Sequence, residues 1–339
     1  MSRPIPASHE QFRTANGSLL VTRSNGARAE IHDVNRGLEI HYGLNGSRRV
    51  VMERTDHSRV FAERGGGYVQ HPYLFHGQEF AHRTYFEHGH EMVRFYDRHV
   101  YHGVTLEIYT PVRFYSVAFY GWVYQPWGPV WLTDYLITSS VNAAYAAQLR
   151  AQREEIAEEV RLEVQLEQEA ARANARDARG GLDYAGIGDL LTDGHSHVFI
   201  SGTSLDLVDG QGNDCTLTQG DVVQVRAAPA PGATAVNATV VVSKGGTECP
   251  ADTAVRMALA DLQEMQNYMR ATVDQGIVQL QAKQGSGNVP AAPAGVLSVG
   301  VDASFMQGAP PADPNVQAEI SEQMSAADVA EREDTVASN

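Results

Sequence analysis

From residue 14 to 109 the chain alternates apolar and polar positions in runs of five to ten residues, each closed by a turn signal. SLLVTR, ARAEIHD, LEIHYGL and SRRVVMER are separated by Asn25-Gly26, Arg36-Gly37 and Asn45-Gly46, and Thr55-Asp56-His57 follows the last of them. Period-two alternation gives a strand with one apolar face, and Asn-Gly supplies the positive φ angles of a two-residue hairpin turn. The pattern predicts an antiparallel β-meander in which Leu38, Ile40, Tyr42 and Leu44 share a face, as do Val50 and Met52. After Gly65-Gly66-Gly67 the runs continue with more rings, in YLF, FAHRTYF, MVRFY and VTLEIY. Aromatic pairs suit a pleated surface.

From Ser139 to Arg179 there is neither Pro nor Gly, and Ala, Glu, Gln, Leu and Arg dominate. These are strong helix formers, so one long acidic helix is expected. Its apolar stripe of Tyr145, Leu149, Ile156 and Val160 is interrupted by Glu163 and Glu167. That favours a solvated spacer helix, with self-association through 139–179 as the alternative. HVFISGTSLDLV, CTLTQGDVVQVRA and TAVNATVVVSK then read as strands, with AVRMALA as a fourth. A helix with a capping box of Asp261 and Glu264 follows, burying Leu262, Met265, Met269, Val273, Ile277 and Leu280 on one face. From Ser286 the chain is Ala, Pro, Gly and acid, a composition expected to stay disordered.

The expected fold is therefore α+β. Residues 1–135 form an aromatic and His-rich meander domain, and 136–180 a long acidic helix or linker. Residues 181–284 form a small β domain with one packing helix, and 285–339 a disordered tail.

Charge and aromatics follow the same division. The net charge of −15 is uneven, with 14 Arg against 13 Asp or Glu up to Tyr135 and the acid beyond it. This argues against nucleic acid, which selects clustered Lys and Arg. Of 27 aromatic residues, 22 lie at or before Tyr135. FYGWVYQPWGPVWLTDYL, residues 119–136, carries all three tryptophans. Pro126 and Pro129 exclude one continuous helix there, and the most apolar window, 130–149, is too polar for a transmembrane span. The rings are expected to form a packed corner, and Trp122, Tyr124, Trp127 and Trp131 are the candidate binding surface where they remain exposed.

Histidine is the clearest chemical candidate. His71, His76, His82, His88, His90, His99 and His102 crowd one region, and His88, His90, His99 and His102 are the candidate metal ligands. No HExxH or CxxC completes a ligand set, which favours structural imidazoles. His195 and His197 share the spacing of His88 and His90 and lie just before a strand. Cys215 and Cys249 pair in an oxidising compartment and stay reduced in the cytosol. No GxSxG elbow or phosphate-binding loop is present, so no catalytic residue and no cofactor is assigned.

AERGGGYVQHPYLFHGQEFAHRTYF, AFYGWVYQPW, WLTDYLI and ALADLQEMQNYM together resemble a family of predicted exported bacterial proteins with no known reaction. The resemblance runs from about Gly26 to Gln284 and implies an extracytoplasmic location and a domain plan. Two departures stand out: MSRPIPASHEQF lacks the apolar run of a signal peptide, and the insert between PW and WLTDYL shrinks to Gly128-Pro129-Val130. The expected function is a non-catalytic structural or interaction protein of the bacterial envelope, partnered by an envelope protein or polymer. The alternatives are a His-rich metal-binding protein and a hydrolase of an envelope polymer using Glu87, Glu91 and Asp97.

Overall fold

In the computed structural model, residues 6, 8–87, 89–112, 115–140, 146–176, 186–246, 248–296 and 304–337 are described. The alternating runs become ten strands. They are β1 (Glu10–Arg13), β2 (Leu19–Thr22), β3 (Arg28–Asp33), β4 (Leu38–Tyr42), β5 (Arg48–Glu53), β6 (Arg59–Glu63), β7 (Gly66–Phe75), β8 (Gln78–Glu87), β9 (His90–Tyr101) and β10 (Val104–Thr110). Their order in the sheet is their order in the chain, the meander that the turn spacing predicts.

The Asn-Gly turns differ in detail from the two-residue form. At Asn25-Gly26 only the glycine has positive φ, and Gly26 N–H bonds to Arg23 O while Arg23 N–H bonds to Ala27 O. The Asn25 side chain accepts from Ala27 N–H, so asparagine acts here through its carbonyl. The two-residue sign pattern occurs instead at His76-Gly77 and His102-Gly103, where both residues have positive φ.

The helices and strands of the middle and C-terminal chain follow a different plan from the meander. Helices α1 (Val117–Val123), α2 (Trp127–Ser140), α3 (Ala146–Arg176) and α4 (Ile187–Leu190) lead to strands β11 (His197–Ile200), β12 (Leu205–Val208), β13 (Asp214–Leu217), β14 (Val222–Val225), β15 (Ala235–Val242) and β16 (Ala254–Ala258). Then come α5 (Leu259–Lys283), a short 3-10 helix at Ser304–Gly308 and α6 (Val316–Ala337). Strands β11-β14-β15-β16 form one small sheet and β12-β13 a second.

The break between α1 and α2 falls at Tyr124–Pro126, and Pro129 sits in the first turn of α2, where a missing N–H costs little. Gly128 is required there, because a Cβ would stand 1.8 Å from the Val123 carbonyl oxygen. Helix α5 buries the whole predicted stripe from Leu262 to Leu280, but it begins directly after β16 with Ala258 as an uncapped N-cap. Asp261 lies inside its first turn and is not its N-cap.

The chain divides into two compact units, Met1–Tyr96 with Gln211–Thr216 and Phe305–Asn339, and Asp97–Gly210 with Leu217–Ser304. Two expectations change as a result. The expected disordered tail contains α6, which packs on the meander's apolar face. Val316, Ile320, Gln323, Ala327 and Ala330 are buried at a 4-3-4-3 spacing against Ile31, Leu38, Ile40, Val50, Val60 and Val69. Its stripe is alanine and glutamine as much as aliphatic, so composition concealed it. Nor is the long helix a spacer: Ile156, Val160 and Val164 of α3 join Trp122, Leu132, Met269 and Ile277 in the second unit's core. Of the stripe that suggested self-association, Ile156 and Val160 are covered within the second unit, while Tyr145 and the Leu149 side chain lie outside the described residues. No helix among the described residues is long and apolar enough to cross a membrane.

Ile320 is 5% exposed in the centre of the α6 stripe. Ile320→Ala is expected to lower the unfolding free energy by about 2–5 kcal/mol, the cost of a large-to-small core substitution, measured by urea denaturation. A change below about 0.5 kcal/mol, typical of a surface site, would show that α6 is not docked.

Candidate functional site

The second unit holds a small open pocket between β10, α1, α3 and α5. Its polar wall is built from paired side chains. Tyr109 Oη donates to Asp274 Oδ2 at 2.9 Å, and Arg270 Nε donates to Glu167 Oε1 at 2.7 Å. Asn267 anchors the wall, accepting from Tyr109 N–H and donating to Glu107 O. Burial pushes the Tyr120 phenol up, helped by the charge of Asp274.

Gln168, next to Glu167 on α3, is the exception. It is 2% exposed and lines the pocket, yet neither Nε2 nor Oε1 has a hydrogen-bond partner among the described residues. A buried amide without partners costs about 1–3 kcal/mol, so such a group calls for a ligand or water.

A second polar centre joins α3 to β11. His197, 1% exposed in its side chain, contacts Glu163 Oε1 through Nδ1 at 2.7 Å and Asp193 Oδ1 through Nε2 at 2.9 Å. Burial opposes its charge, but the hydrogen bonds and charges of the two carboxylates prevail and raise its pKa to about 9. Burial likewise pushes the Glu163 carboxyl up, with His197 pulling it back in part. Both imidazole nitrogens are committed to carboxylates, as a structural clamp requires.

Of the predicted binding rings Trp122 is in the core, and Tyr124, Trp127 and Trp131 are half-buried. Trp122 is buried and meets Trp127 edge-on at 5.0 Å between centroids. Tyr124 donates its hydroxyl to Glu169. Trp131 is half-buried, stacked on Tyr135 at 5.3 Å with Lys283 Nζ 5.8 Å from its centroid.

Of the predicted metal ligands, His88 lies outside the described residues. His90, His99 and His102 do not converge: His90 opens the twelve-residue β9 and His102 follows its end, roughly 40 Å along an extended strand. His99 Nε2 pairs with Asp97 Oδ2 at 2.8 Å, and His102 Nδ1 donates to Ala233 O at 2.9 Å. His71 and His82 stack across β7 and β8 at 5.2 Å, and burial, with the nearby His71, pushes His82 down to about 4. Glu87 and Glu91 are exposed at strand ends, while Asp97 is buried beside His99. Both cysteines are disulfide-bonded.

No family model, curated protein or solved structure matches the chain. Sequence reasoning missed Gln168, Glu167 and Arg270. The available signal was acid inside an apolar helical stripe, at Glu163 and Glu167.

The clamp gives a pH signature. Because the folded His197 pKa, about 9, exceeds the ordinary imidazole value of 6.5, its stabilisation is complete below about pH 6.5 and is lost as pH rises through 9. Urea midpoints measured from pH 6 to 10 are expected to fall across that window and, in His197→Gln, to lose that component of the slope. An unchanged slope in the variant would place the titration elsewhere.

Proposed function

We propose that the protein is a non-catalytic binding module of an oxidising, extracytoplasmic compartment, and that the pocket of its second unit receives a polar group of a cell-envelope polymer. The observation that carries this reading is Gln168, a pocket-lining residue whose buried donor and acceptor have no hydrogen-bond partner among the described residues. Arg270, Glu167 and Asp274 add charge beside it, while Tyr109 and Tyr120 add apolar surface. A few convergent polar groups on an aromatic floor suit a hydroxyl- or amide-bearing ligand. The disulfide-bonded cysteines support the compartment, since such bonds persist where thiols are not kept reduced.

Gln168→Leu separates binding from folding. Removing an unpartnered buried amide is expected to leave stability unchanged or raise it by about 1–3 kcal/mol. In co-sedimentation with purified insoluble envelope polymer, wild-type protein is expected in the pellet and the variant in the supernatant. Equal pelleting of both, or a variant less stable than wild type, would defeat the reading.

A further inference from the structure

We propose that Glu30, Glu39 and His41, with His32 beside them, bind a borderline divalent cation of the Zn2+ class. The tripeptide Glu-Ile-His occurs twice, at 30–32 in β3 and 39–41 in β4. Antiparallel pairing sets Glu30 opposite His41 and His32 opposite Glu39, so the two copies are related by a local two-fold axis. The central Ile31 and Ile40 are fully buried in the α6-covered core. Alternation along a strand therefore sends all four polar side chains to the opposite face.

On that face one ligand atom each from Glu30, Glu39 and His41 lies within 4.8 Å of the other two. His41 approaches Glu30 Oε2 at 3.7 Å through Nδ1 and Glu39 Oε2 at 3.8 Å through Nε2, and His32 Nδ1 is 3.4 Å from Glu39 Oε1. Zinc bonds of about 2.0–2.2 Å in a tetrahedron separate ligand atoms by roughly 3.3–3.6 Å. The two approaches use different nitrogens of the His41 ring, so a single ion would take one of them and draw the remaining ligand atoms in from within 4.8 Å. Imidazole and carboxylate are both zinc ligands, and two carboxylates balance a divalent charge.

Access and support are both present. His32 and His41 keep 37% and 36% of their side chains exposed, so an ion enters from solvent. The backbone that spaces the ligands is held from below by α6. Arg49, opposite His41 on β5, directs its guanidinium to Glu63. A purely ionic reading of the cluster has little to recommend it energetically, because exposed pairs contribute about 0–1 kcal/mol. The proposal does not depend on the pocket, which belongs to the other unit.

The test is titration of metal-free, tag-free full-length protein with Zn2+ by calorimetry and with Co2+ by visible absorption. One ion per chain is expected. Glu39→Gln and His41→Asn, checked for folding by circular dichroism, are each expected to weaken binding by at least about 100-fold, the upper range for loss of even an outer-shell partner. His90→Asn is expected to bind as wild type does. Absence of Zn2+ binding by the wild type, or unchanged binding in folded Glu39→Gln and His41→Asn, would overturn the site.

Discussion

The first unit depends on one contact: the apolar face of the meander must be covered, and α6 covers it. A single-layer sheet exposes one hydrophobic face to water unless a second layer packs on it. The meander forms from adjacent hairpins, each locally encoded, but its cover comes from the far end of the chain. Ala327 and Ala330 allow that helix to approach closely, and Gln323 donates to the carbonyls of Val50 and Val60. The charge asymmetry of the chain then has a use within it. Arg36, Arg48 and Arg54 of the meander meet Glu333, Asp328 and Glu319 of α6, and Tyr42 donates to Glu331. Such exposed pairs add little free energy singly, but together they fix which way the helix lies.

Period-two alternation and turn residues made the meander legible, because both are local properties. The α5 stripe was legible for the same reason, through its 3.6-residue period. What the sequence concealed was destination. Nothing local to Val316–Ala337 distinguishes an acidic helix that packs from one that does not, since its buried face is small and its partner lies more than two hundred residues away. The α3 helix misled in the opposite way. Glu163 and Glu167 looked like breaks in its apolar stripe, whereas they carry that stripe's buried ion pairs to His197 and Arg270.

Histidine density shows how one residue type serves separate physical roles. His76 and His102 occupy left-handed turn positions ahead of glycine, and His71 and His82 stack across a strand pair. His197 is a buried cation held by two carboxylates. Across β3 and β4 the pairing register gathers two imidazoles and two carboxylates on an accessible face. Proximity in the chain spreads histidines along β9, while proximity across a ladder depends on register. The repeated Glu-Ile-His was visible, but its meaning required knowing that the two copies face each other in opposite directions.

The second unit makes the contrast between a satisfied and an unsatisfied interior sharp at two consecutive residues. Glu167 Oε1 receives Arg270 and Gln266. Gln168, one residue on and deeper, is served by nothing among the described residues. If the amide merely filled space, leucine or methionine would do so without the desolvation cost, and α3 uses apolar residues freely at Ile156, Val160 and Val164. On the proposed reading the requirement for glutamine comes from what occupies the pocket, and this side chain, more than the tryptophans or the clustered histidines, is the one whose burial packing alone does not explain.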